Sequence, residues 1–95
     1  MQIQAKVNVI NEVRSGVSQS NGHEWRSQDI VINWSETLPN GFTHEQYLQV
    51  TLHSESIDHL AALNPVAGQT VISGDLSFNT RSYNGRVYNE ISMIL

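Results

Sequence analysis

The sequence has no cysteine, a single lysine and only two prolines. Without cysteine there can be no disulfide and no thiolate metal site, so an unstapled cytoplasmic domain is expected. No apolar stretch is long enough to span a bilayer, so no membrane partner is expected. The opening "MQIQAKVNVI" lacks the charged-then-apolar layout of a secretion signal. Lysine and arginine are missing altogether from positions 27–80. That segment carries Asp29, Glu36, Glu45, Glu55, Asp58 and Asp75, a charge of −6 in a chain whose net charge is −4. The remainder stands at +2, with Lys6, Arg14, Arg26, Arg81 and Arg86 against Glu12, Glu24 and Glu90. The overall balance disfavours nucleic acid, because phosphate binding depends on Lys and Arg. The uneven distribution still permits a positive local field on an anionic molecule.

At 95 residues the chain is large enough for one domain with one core. Period-two alternation marks most of it. In "QIQAKVNVINEVR", Ile3, Ala5, Val7 and Val9 share a parity that blurs at Ile10 and Val13, where a bulge is expected. "WRSQDIVINW" reads as a second strand, with Ile30, Ile32 and Trp34 on one face and Trp25, Ser27, Asp29 and Asn33 on the other. "EQYLQVTLH" alternates cleanly: Leu48, Val50 and Leu52 point one way and Tyr47, Gln49, Thr51 and His53 the other. "SESIDHLAALNP" then shifts to helical spacing, with Ser54 or Ser56 to cap a short helix and Pro65 to end it. "QTVISGDLSFNTRS" and "RVYNEISMIL" give two more strands. Gly74 within the first of them suggests a bulge or a tight barrel bend. Asn84-Gly85 between the two is a strong hairpin signal.

The expected order is three strands, a helix and two strands. This all-β architecture with one short helix is that of the OB-fold, a five-stranded Greek-key barrel, with an SH3-type barrel as the rival. On that topology Arg14 and Arg26 flank the first loop, and Arg81 and Arg86 bracket the last hairpin. These are the two loops beside the face on which OB-folds hold oligonucleotides or oligosaccharides. Trp25, Tyr47, Tyr83 and Tyr88 supply aromatic surfaces nearby, and arginines at the margin can hold phosphates or stack. Turn chemistry alone also accounts for Asn84-Gly85, and a cross-strand pair for Tyr83 with Tyr88.

Other chemistries find little support. His53, Glu55 and His59 stand close in sequence, but a metal site needs three convergent ligands, and strand-to-helix geometry does not favour convergence. Asp58-His59 with Ser54 or Ser56 lacks a nucleophile elbow. "NPVAGQT" lacks the lysine of a phosphate loop. No catalytic residue, metal or cofactor is therefore expected.

"QYLQVTLHSESIDHLAAL" and "GQTVISGDLSFNTRSYNGRVYNEISMI" resemble the third strand, helix, fourth strand, hairpin and fifth strand of the bacterial single-stranded DNA-binding proteins. "SGVSQSNGHEWRSQDIVI" and "RSYNGRVYNEI" also resemble a compact OB-fold family of unknown function from Bacteroidetes and their phages. The resemblance implies that Tyr47 occupies a base-stacking position, with Trp25, Arg26, Arg81, Tyr83, Arg86 and Tyr88 as further contacts. This chain is poorer in basic residues than the single-stranded DNA-binding proteins it resembles. The resulting expectation is sequence-tolerant binding of single-stranded DNA in replication, recombination or repair. Bases would stack on Tyr47, Trp25 and Tyr88, and Arg14, Arg26, Arg81 and Arg86 would neutralise phosphates, so that affinity falls steeply with salt. A homo-oligomer, dimer or tetramer, and a replication or phage protein partner are also expected. The alternative is a protein-interaction or assembly module that binds no nucleic acid.

Overall fold

The computed structural model describes the backbone of all 95 residues and every side chain except those of Arg81 and Tyr83. Five strands and one helix follow the expected order: β1 (Gln2–Val17), β2 (Glu24–Thr37), β3 (Thr43–His53), α1 (Glu55–Ala62), β4 (Val71–Tyr83) and β5 (Arg86–Ile94). The strands close into a barrel in the order β1-β2-β3-β5-β4, with the helix between β3 and β4, as in an OB-fold. Neighbours pair antiparallel except β3 with β5, which meet in parallel at Thr51 and Ser92.

The strands outrun the sequence reading at their ends. β1 continues to Val17, and the loop to β2 shrinks to residues 18–23; β2 continues to Thr37. Ladder pairing overrides the turn-forming residues there, so the hairpins project as arms beyond the barrel.

Alternation determines what is buried. Ala5 and Val7 of β1, Ile30 and Ile32 of β2, Val50 and Leu52 of β3, Ile72 and Leu76 of β4, and Met93 of β5 form the core, joined by Ile57 and Leu60 of α1. β1 departs from simple alternation twice. Its register with β2 shifts between Val7 and Val9 and again between Ile10 and Val13. Each shift inserts one extra residue, the signature of a β-bulge. The second was expected. The first was not, and it corrects the reading of Val9: the inserted residue turns Val9 to the outer face, where it is 42% exposed.

Gly74 is a point of close approach rather than a bulge, because the register of β1 with β4 runs through it unbroken. A Cβ there would lie 2.7 Å from Met93 Cε and 2.9 Å from both the Ile94 carbonyl oxygen and Leu95 Cδ2. At the hairpin tip, Asn84 and Gly85 both have positive φ, 52° and 74°. This matches the two-residue type I′ turn that Asn-Gly favours, with Tyr83 paired to Arg86 across it.

Ser54 is the N-cap of α1 but makes no side-chain capping bond. Its carbonyl instead accepts from Ile57 N and Arg26 Nη2. Ser56 Oγ accepts from Leu95 N, fastening the helix to the end of β5.

Candidate functional site

Residues opposite one another in an antiparallel ladder share a face. Ile32 and Ile30 point into the core, so the intervening β2 positions Asp29, Val31 and Asn33 lie on the outer parity. Their β3 partners are Thr51, Gln49 and Tyr47. Val9 and Lys6 of β1 continue the Val31 and Asn33 rows, and Arg14 pairs with Ser27 on the same side. On β5, Met93 is inward, so Arg86, Tyr88, Glu90 and Ser92 take outer parity. The Thr51–Ser92 bridge joins this outer surface to that of β3. A contact of 3.5 Å between His53 Nε2 and Glu90 Oε1 spans the same seam.

Tyr47 and Tyr88 each lie four residues before their bridged partners, Thr51 and Ser92. Even spacing returns both to the outer face, about 13 Å from the bridge along each strand. Both rings are substantially exposed, at 58% and 49%. The Tyr47 hydroxyl donates to Glu45 Oε2 at 2.8 Å. That bond is the main cause of a phenol pKa raised above its ordinary value. Trp25 stands on the β1–β2 arm, half exposed, its indole against Gly16 of β1.

The four arginines have different situations. Arg86 makes no ion pair among the described residues and is exposed. Arg81 pairs with Tyr88, and Tyr83 with Arg86, through the backbone ladder; both side chains lie outside the described ones. Arg14 Nη2 donates to Asp29 Oδ2 at 3.1 Å, while Thr51 Oγ1 donates to Asp29 Oδ1 at 2.8 Å. Asp29 thus bridges β1 and β3, and Arg14 keeps its remaining N–H groups toward solvent. Arg26 is not brought together with the others. It sits on the opposite parity, across from Ser15, and faces α1. Its guanidinium grips both oxygens of Asp58, Nη1 to Oδ1 at 2.9 Å and Nη2 to Oδ2 at 3.0 Å. It ties the hairpin arm to the helix rather than extending the face.

The hydrogen bond from Arg26 is the main reason the Asp58 carboxyl titrates below its ordinary value, and Asp58 in turn raises Arg26. A carboxyl whose pKa is lower in the folded than in the unfolded state stabilises the fold above the unfolded value and loses that contribution as pH falls through the folded one. Acid denaturation followed by circular dichroism should therefore show wild-type stability falling as pH drops below the ordinary aspartate range. Asp58→Asn should be less stable at neutral pH and lose part of that acid dependence.

Sequence reading missed Lys6, Asn33 and Glu45 as a group. Lys6, Asn33 and Tyr47 form one outer row across three strands. The histidines do not assemble: His59 Nδ1 donates to the Leu95 carbonyl at 2.7 Å, while His53 faces Glu90. Among the described residues no three His, Asp or Glu side chains group as metal ligands would. No helix is long and apolar enough to cross a membrane.

No family model matches the chain, and no curated protein matches it. A similar solved structure is that of a small single-stranded DNA-binding protein from Streptomyces coelicolor. The identity is 14%, the match covers 98% of this chain and 86% of that one, and the TM-score is 0.49.

Proposed function

We propose that the chain binds single-stranded DNA across the outer face of β2, β3, β5 and β4, with bases stacked on Tyr47 and Tyr88. The observation that carries this reading is the matched placement of those two exposed rings on either side of the Thr51–Ser92 bridge. Aromatic platforms accept any base, so the binding is sequence-tolerant. Trp25 adds a ring at the arm. Arg86, Arg81 and the free edge of Arg14 serve the phosphates, with Tyr83 at the hairpin tip; Arg26, held by Asp58, does not. The process served is replication, recombination or repair.

Charge pairing reduces the salt dependence expected from four free arginines. Each phosphate contact on a single strand contributes about −0.7 to the slope of log K against log salt. With Arg14 shared with Asp29 and Arg26 withdrawn, a shallow slope is expected. Titration with oligo-dT, read by Trp25 and Trp34 fluorescence at several salt concentrations, tests this. Arg86→Ala should reduce the slope by about 0.7. An unchanged slope removes Arg86 from the phosphate track.

A second reading, assembly through protein contacts, is favoured by the reverse of the last hairpin. Phe78 and Val87 occupy core parity there, yet lie beyond the core and are well exposed. Absence of an oligo-dT response at low salt, together with concentration-dependent association in sedimentation, would favour that reading.

A further inference from the structure

Trp25 and Gly16 face each other across the β1–β2 ladder, which runs without a shift from the Arg14–Ser27 pair to the Val17–Glu24 pair. Two residues from Ser27, Trp25 keeps the outer parity. β3 ends at His53, opposite Ser27, so the sheet at Trp25 has only two strands. Gly16 is half-buried although its neighbours Ser15 and Val17 are exposed. A Cβ on Gly16 would lie 2.7 Å from Trp25 Cζ2, 2.8 Å from Cε2 and 3.0 Å from Nε1. Cε2 is recessed between the other two atoms, so an edge-on approach would make it the farthest of the three. It is not the farthest, and the indole therefore lies with its flat face over Gly16. The backbone gives no reason for glycine here: Gly16 lacks the positive φ found at Gly22 and Gly85, 70° and 74°. Glycine inside a strand also weakens it. What excludes a side chain is the ring.

From this geometry we infer that Gly16 is a positioning residue: having no Cβ, it lets Trp25 lie flat on β1 as a base platform set before DNA arrives. The inference rests on the strand-binding reading above. One face of the indole is against Gly16, yet Trp25 is 47% exposed, so the other face is open to a base. The backbone beneath the ring is held as well, because Arg26, the next residue, grips Asp58 of α1 from the opposite side of the sheet. A ring already held flat loses little rotamer freedom when a base stacks on it, which favours affinity. Arg14 stands on the same outer face two residues from Gly16, about 7 Å along the strand. Its N–H groups not used by Asp29 are there for the phosphate of the stacked nucleotide.

Anisotropy of fluorescein-labelled oligo-dT measures binding without tryptophan as the reporter. Trp25→Ala should raise the Kd about 5- to 150-fold, the loss of one stacked base. Gly16→Ala should raise it at least about fivefold by tilting the ring. The same variant should melt at or above the wild-type temperature, because alanine suits a strand better than glycine. In the Trp25→Ala background, Gly16→Ala should leave the Kd unchanged, since no ring remains to be moved. Wild-type affinity in the Gly16→Ala single variant overturns the inference: the glycine then only makes room for the ring. An equal loss in both backgrounds overturns it too, because Gly16 would then act without Trp25. If Trp25→Ala binds like wild type, the arm holds no platform, which overturns the inference and leaves strand binding on Tyr47 and Tyr88 standing. Failure of the wild type to bind oligo-dT overturns both readings.

Discussion

Alanine at Tyr47 or at Tyr88 should each raise the Kd for oligo-dT by about 5- to 150-fold, the range that loss of one stacked base entails. Neither ring belongs to the core cluster, so both variants should melt close to wild type. The two substitutions test different parts of one surface. Tyr47 lies on β3, within the three-strand sheet that begins at β1; Tyr88 lies on the arm formed with β4. If one strand of DNA runs over the seam, the double variant should bind far more weakly than either single one. If only one position matters, the DNA keeps to one side of the Thr51–Ser92 bridge. Should both variants bind like wild type, bases stack elsewhere and the proposed face is wrong. Tyr47→Phe separates stacking from hydrogen bonding. It keeps the ring and frees Glu45, and should retain most of the affinity.

Leu60→Ala should be the more severe change for the fold, costing about 2–5 kcal/mol out of a typical total of 5–15. Leu60 is 1% exposed and, with Ile57, is one of two apolar side chains through which the short helix joins the barrel core. Truncation leaves a cavity among strands whose curvature is already set by closure, so the site cannot collapse to fill it. Thermal unfolding by circular dichroism measures the loss. Because Leu60 is remote from the outer face, oligo-dT binding at low temperature should persist in whatever fraction stays folded. A small loss of stability would mean that α1 docks mainly through its polar ties, the Arg26–Asp58 pair and the Ser56–Leu95 bond.

Much of this arrangement was legible locally. Alternation in β3 places Val50 and Leu52 inside and Tyr47 outside, because side-chain direction along a strand depends only on residue parity. Asn84-Gly85 announces its turn because few other pairs tolerate two positive φ values in succession. The element order follows from where the period changes from two to helical. Val9 was not legible: the bulge that reverses it depends on how β1 must bend to pair with β2 and then β4. Gly74 read as a bulge or a tight bend, yet what demands glycine is the end of β5, distant in sequence.

The charged residues divide along the same line. Sequence placed Arg14 and Arg26 beside one loop. The register sent them to opposite faces, and the acids that claim them, Asp29 and Asp58, come from β2 and α1. The row of Lys6, Asn33 and Tyr47 arises from residues 27 and 14 positions apart. By itself, then, the sequence determined the strands, the helix, the hairpin turn and, where no bulge intervenes, which positions in a strand seek the interior, since all of these are set by neighbours within a few bonds. Only the tertiary structure decided which outer side chains stand side by side and which cations remain free. Strand pairing and bulges join distant segments, and a one-residue shift in register exchanges the faces.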